Sequence, residues 1–164
     1  MRRLALFAIA AAALALTSCG FQPLYGQPGV VGGLASVKVY APEGRAGHLL
    51  REHLDDALAS RPDSPAAYRM DLAYSEVRYP RGLRVDNVAT RYEYVLTADY
   101  TLRTLPALAP VKNGRARVTV TYDSADQPYA SITAQQDAQD RAAQEAARRI
   151  QLELAAWLAA QRGS

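Results

Sequence analysis

The chain has 164 residues, 49% of them hydrophobic and 21% charged, with 19 basic side chains against 16 acidic ones, a formal charge of +3 and one cysteine. A lone cysteine excludes an internal disulfide, so packing must hold the fold. Arg2 and Arg3 sit in a leader; without them 17 basic residues face 16 acidic ones, and a charge near +1 argues against a nucleic-acid partner.

Residues 1–18 have a basic start (Arg2, Arg3), an uncharged apolar run from Leu4 to Leu16, and small residues (Thr17, Ser18) before Cys19. That is the layout of a secretory signal peptide, and the run is too short to span a bilayer. Leu16-Thr17-Ser18-Cys19 resembles the lipobox of bacterial lipoproteins. The resemblance implies cleavage after Ser18, a diacylglyceryl group on the Cys19 thiol and acylation of the new amino group. Each buried methylene contributes about 0.8 kcal/mol, so two or more chains anchor stably where one does not. Gly20, rather than Asp, fits retention at the outer membrane in that class. The mature chain then has 146 residues, enough for one domain.

Residues 19–33 hold Pro23, Pro28 and glycines 20, 26, 29, 32 and 33, and read as a lipid-anchored flexible tether. A single domain is expected over 34–164. Leu34 to Ala41 alternates Ala35, Val37 and Val39 against Ser36 and Lys38, a first strand. From Ala46 to Ser60, Leu50, Leu54, Ala57 and Leu58 recur at helical spacing, and the run Arg61 to Pro65 ends that helix.

Three strands follow. Tyr68, Met70, Leu72 and Tyr74 share one parity; apolar parity changes at Val77 and Tyr79, which suggests a bulge or twist near Glu76. Pro80-Arg81-Gly82 reads as a turn. Val88, Tyr92, Tyr94, Leu96, Ala98, Tyr100 and Leu102 then align opposite Arg91, Glu93, Thr97, Asp99, Thr101 and Arg103. Such alternation predicts a long antiparallel strand with one buried face. Pro106 and Pro110 bracket a loop. Ala116, Val118, Val120 and Tyr122 alternate with Arg115, Arg117, Thr119 and Thr121 in the last strand, with Asn113-Gly114 as a turn or bulge at its start.

A polar loop from Asp123 to Tyr129 leads into a long helix. Thr133 and Gln136 suggest a capping box, and Glu145 and Arg149 stand at the favoured four-residue spacing. Ala143, Ala146, Ala147, Ile150, Leu154, Trp157 and Leu158 form an apolar stripe that starts at Ala143, because Gln139 and Asp140 precede it; Gly163 ends the helix. The expected fold is α+β: a two-layer sandwich in the order β-α-β-β-β-α, with a four-stranded, mainly antiparallel sheet and two helices on one face. The other face carries Arg, Thr, Asp and Glu.

The opening "CGFQPLYG" and the stretch from Tyr122 to Ala159 resemble the lipopolysaccharide-assembly lipoprotein family LptE, in its alphaproteobacterial form. The resemblance implies a lipid-anchored protein on the periplasmic side of the outer membrane, held in the inner leaflet. It further implies a plug and assembly partner of the LptD β-barrel that binds lipopolysaccharide during delivery to the surface, with no reaction to catalyse. A barrel lumen is polar and wet, so the sheet side bearing Thr97, Thr101, Thr119 and Thr121 is the expected barrel-facing surface. Arg81, Arg84, Arg91, Arg103, Arg115 and Arg117 are the candidate lipopolysaccharide contacts, since the planar guanidinium binds phosphate bidentately; a solvated face balanced by Glu93 and Asp99 explains the same residues. The competing reading is a free-standing periplasmic lipoprotein that binds a ligand or supports the envelope without a barrel. No cofactor and no metal are expected: His48 and His53 are five apart and read as helix-surface residues, and Asp55-Asp56 point apart on a helix.

Overall fold

The computed structural model describes residues 29–60, 65–83, 89–124 and 127–161. The leader, Cys19, the first part of the tether, Arg84, Val88 and Gly163 lie outside them, as does most of the run from Arg61 to Pro65.

Chain order is α1 (Val30–Ala35), β1 (Val37–Tyr40), α2 (Arg45–Ala57), β2 (Tyr68–Leu83), β3 (Ala89–Thr104), β4 (Pro110–Asp123) and α3 (Pro128–Ala160). One four-stranded sheet has the order β1-β2-β3-β4. β1 lies parallel to β2, which requires the crossover that α2 supplies. The β2–β3 and β3–β4 pairs are antiparallel. α2 and α3 pack on each other and on one face of the sheet. Leu50, Leu54, Leu58, Met70, Tyr94, Leu96, Leu102, Ile150 and Leu154 form the buried centre, and Ala142, Ala143, Ala146 and Ala147 supply a flat helix surface against it.

The chain differs from the pattern reading at seven places. Instead of a tether running to residue 33 and a strand from Leu34, a short helix occupies Val30–Ala35, and the strand starts at Val37. Val30 and Leu34, four apart, bury one face of that helix, and Ser36 closes it by hydrogen bonds to Gly33. No bulge interrupts β2 at Glu76: pairing runs unbroken from Tyr68 opposite Thr104 to Arg81 opposite Arg91. The parity change reflects what covers the sheet. Beyond Tyr74 the covering helix presents Gln135 and Gln139, so the inward positions are polar: Glu76 accepts from the Tyr94 hydroxyl (2.6 Å) and Gln139 (3.4 Å), and Arg78 donates to Gln135.

Pro80-Arg81-Gly82 is strand, not turn. β1 pairs only with Tyr68 to Asp71, so Pro80 sits on an open edge where its missing N–H costs nothing. Gly82 takes φ +60, and Thr90 Oγ1 donates to its carbonyl. Asn113-Gly114 is likewise neither turn nor bulge. The register shift falls at Leu102/Arg103, with Val111 as the extra residue, and Gly114 makes room for the Tyr100 ring, 2.5 Å from where a Cβ would stand.

α3 begins at Pro128, without a capping box; Thr133 Oγ1 donates to the Tyr129 carbonyl one turn back. Its buried stripe starts at Ala138 rather than Ala143, because Gln139 and Asp140 lie on the flanks, facing Glu76 and His53. His53 is therefore not a surface residue: it is largely buried and meets Asp140 at 2.9 Å, tying α2 to α3. His48 is exposed beside Glu52, and the Glu145–Arg149 pair forms at 2.8 Å.

Candidate functional site

With both long helices on one face, the odd-numbered residues of β2, β3 and β4 form an outer face that no described helix covers. Thr97, Thr101, Thr119 and Thr121 share this face, as do Arg81, Arg91, Arg103, Arg115 and Arg117; Arg84 lies outside the described residues. Six guanidiniums, counting Arg69, stand there against the carboxylates of Asp71, Glu93, Asp99 and Asp123.

The arginines do not converge. Arg91 and Arg103 are twelve residues apart on one strand, about 40 Å. They sort instead into cross-strand couples. Arg81 lies directly opposite Arg91 at one end of the sheet, and Arg69 opposite Arg103 at the other. Like charges directly opposite repel, and carboxylates offset both couples. Arg81 reaches Glu93 (3.0 Å) and Arg91 reaches Asp123 (2.8 Å); Arg69 and Arg103 share Asp71 at 2.7 and 3.2 Å. Arg69 also stacks over the Tyr40 ring, 4.0 Å from its centroid, and its hydrogen bond to Asp71 holds its pKa above the ordinary value. Between the couples, Arg115 pairs with its register partner Asp99, while the guanidinium of Arg117 has no ion pair among the described residues.

The face is not uniformly polar. Val95 is only 2% exposed although it points outward, bracketed by Val77 and Thr119. Tyr79 extends this apolar spot toward the Arg81 end, where it stacks under that guanidinium. Sequence reading missed two features: Arg69, whose outward parity was visible, and the burial of Val95.

On the inner face a cavity of about 220 Å³ is lined by Glu76, Arg78, Tyr94, Gln135 and Gln139. Burial, and then the Glu76 carboxylate, push the Tyr94 phenol far above its ordinary pKa. At the opposite end Lys112 pairs with Glu153, and the Tyr100 hydroxyl is buried near that carboxylate, with no hydrogen bond of good geometry among the described residues; burial and then the nearby Glu153 raise its pKa too. A phenol kept protonated beside a carboxylate offers no nucleophile. Among the described residues no group of His, Cys, Asp and Glu is arranged to hold a metal, and no helix is long and apolar enough to cross a membrane.

The sequence pattern of the lipopolysaccharide-assembly family LptE matches residues 34–154. The chain belongs to that family. LptE proteins are non-enzymatic lipoproteins of lipopolysaccharide assembly. A candidate lipoprotein from Caulobacter crescentus CB15 is 58% identical, with a TM-score of 0.72 over 81% of this chain and 97% of that one. Rare lipoprotein B from Shewanella oneidensis shares the fold at 14% identity (TM-score 0.58, covering 77% of this chain and 96% of that one). So does a minor lipoprotein from Acinetobacter baumannii at 12% (TM-score 0.52, 73% and 88%). No curated protein matches the chain.

Proposed function

We propose that this LptE-family protein is an outer-membrane lipoprotein, tied by acyl groups on Cys19 to the inner leaflet. It acts there as plug and assembly partner of an LptD-type β-barrel and binds lipopolysaccharide on its way to the surface. One observation carries the reading: no described helix covers the outer sheet face, and that face offers groups suited to contact. It holds six arginines, the exposed apolar side chains of Val77 and Tyr79, and four outward threonines. A water-filled lumen suits such a face, because its arginines and threonines can exchange solvent for a polar partner. Each arginine couple offers two guanidiniums, groups that bind phosphate bidentately once their carboxylate partners are displaced.

The test is a photo-crosslinker at Thr97 or Thr119 in the envelope, with mass analysis of the captured partner and of the mature N-terminus. Capture of a large β-barrel by an acylated chain is expected. Capture of soluble proteins only would instead make the chain a free-standing lipoprotein.

A further inference from the structure

We infer that the β3–β4 loop and the start of β4 form a second membrane contact: Leu105, Leu108 and Val111 enter the surface of the leaflet that holds the Cys19 anchor and set the domain upright on it before a barrel encloses it. The inference rests on the acylation reading above.

Seven consecutive residues, Leu105-Pro-Ala-Leu-Ala-Pro-Val111, carry no polar side chain, and all seven are exposed. Leu105, Leu108 and Val111 are 37%, 47% and 39% exposed. Leu108 is also held at φ +55, a conformation that suits Gly or Asn far better than Leu. Neither the turn nor the core asks for leucine there, and its side chain is left open to a contact outside the domain.

Placement identifies the contact. Leu105 N–H donates to the Ala67 carbonyl, and Ala67 N–H donates to the Ser36 carbonyl, so the loop sits beside the end of α1. α1 in turn packs near the C-terminal end of α3, where Gly33 abuts Leu158. The chain from Cys19 therefore enters the domain at the apolar loop's end. Ten peptide steps lead from Cys19 to Gly29 and reach about 35 Å at most. Along α3, Leu158 lies about 44 Å from Tyr129 at 1.5 Å per residue, so an upright domain could not rest its far end on the bilayer. The tether permits the loop's end to do so.

Charge does not drive this contact, because the flanking Arg103 and Lys112 are engaged with Asp71 and Glu153. It is a weak apolar dip made effective by the anchor's proximity.

The acylated full chain, reconstituted in phosphatidylethanolamine–phosphatidylglycerol vesicles, tests it. With the Cys19 thiol consumed by lipid, Leu108→Cys supplies a single site for an environment-sensitive fluorophore, and Thr121→Cys on the outer face is the control. Quenching of the Leu108 label by acyl-chain-bound doxyl groups should exceed that of the Thr121 label by about threefold or more. Equal quenching overturns the inference, as does shielding of the Leu108 label only when a β-barrel fraction is added, which would mean a protein contact. Intact mass separates the two readings. An unacylated chain removes both; an acylated chain with Leu108 in water removes this one alone.

Discussion

Arg81 and Arg91 offer the sharpest test of the outer face, because their effects on stability and on binding have different sizes. Each guanidinium is more than half exposed and holds one carboxylate. Exposed pairs of this kind contribute about 0–1 kcal/mol each. The two arginines also face one another across the β2–β3 pair, and such like-charge opposition costs roughly 0.2–1 kcal/mol. In the double variant Arg81→Ser, Arg91→Ser the loss of two ion pairs and the relief of repulsion nearly cancel, so stability should change by less than about 1 kcal/mol. Binding should not cancel. A hydrogen bond to a charged group contributes about 1.5–3 kcal/mol, and a phosphate must first displace Glu93 and Asp123, which takes back part of it. The expected net is a ten- to hundredfold loss of lipopolysaccharide affinity, roughly 1.4–2.8 kcal/mol. The assay is a titration with purified lipopolysaccharide at fixed ionic strength, alongside a thermal melt. A folded variant with unchanged affinity would refute phosphate recognition by this couple; a collapsed melt would refute the cancellation argument.

Gly114→Ala should lower stability by about 1–3 kcal/mol in denaturant unfolding, because the new methyl meets the buried Tyr100 ring at 2.5 Å. Tyr100→Phe removes a buried hydroxyl with no well-formed hydrogen bond among the described residues, so the melt should stay level or rise; a fall of several degrees would show that the nearby Glu153 carboxylate satisfies it. Thr133→Ala should leave stability unchanged or slightly raised, since Thr133 bonds back within the helix instead of capping it, whereas loss of a true cap costs about 1 kcal/mol. The Tyr94 and Tyr100 phenols are raised in the folded state, so above the unfolded value of about 10 the unfolded chain gives up their protons first. Stability should therefore fall as pH rises beyond about 10, and ultraviolet titration should show these two phenols ionising only as the chain unfolds; early ionisation of all tyrosines would contradict their burial.

Much of the fold is legible because the strands alternate so regularly. From Tyr94 to Leu102 one face is buried at every second residue, and that pattern alone fixes which arginines and threonines share the outer side. What stayed hidden depends on neighbours distant in sequence. Val77 and Tyr79 look like a parity break, but the strand keeps its register, and the inward residues turn polar where α3 brings Gln135 and Gln139 in place of alanine. α1 escaped because six residues holding two glycines carry little helical signal; burial of Val30 and Leu34 makes it. The candidate arginines share a face yet do not form one site, because their spacing along the strands carries them to opposite ends of a long sheet. Arg69 completes one couple only because β2 pairs Arg69 with Arg103, a register no single strand reveals.

The same length gives the domain two unlike ends, and α3 shows why. Over its C-terminal half Ala146, Ala147, Ile150, Leu154 and Leu158 are buried, so the sheet beneath can present Met70, Leu96 and Leu102. Toward its start Tyr129 and Ile132 are exposed, and Gln135 and Gln139 reach the sheet through hydrogen bonds to Arg78 and Glu76. Exchanging those amides for water costs little, because each polar group there already borders solvent; opening the alanine-lined half would expose the whole core. Hydrogen exchange should therefore be fast in the first turns of α3 and near the Arg81–Arg91 rungs, and slow from Ala142 to Leu154. A ligand or barrel wall seated on the outer face at the Arg81 end would meet the part of the fold that yields most easily, and should slow exchange there while leaving the slow half unchanged. Uniform protection along α3 in the free protein would mean that the amide-lined end is as tightly closed as the alanine-lined one, and that this asymmetry does not exist.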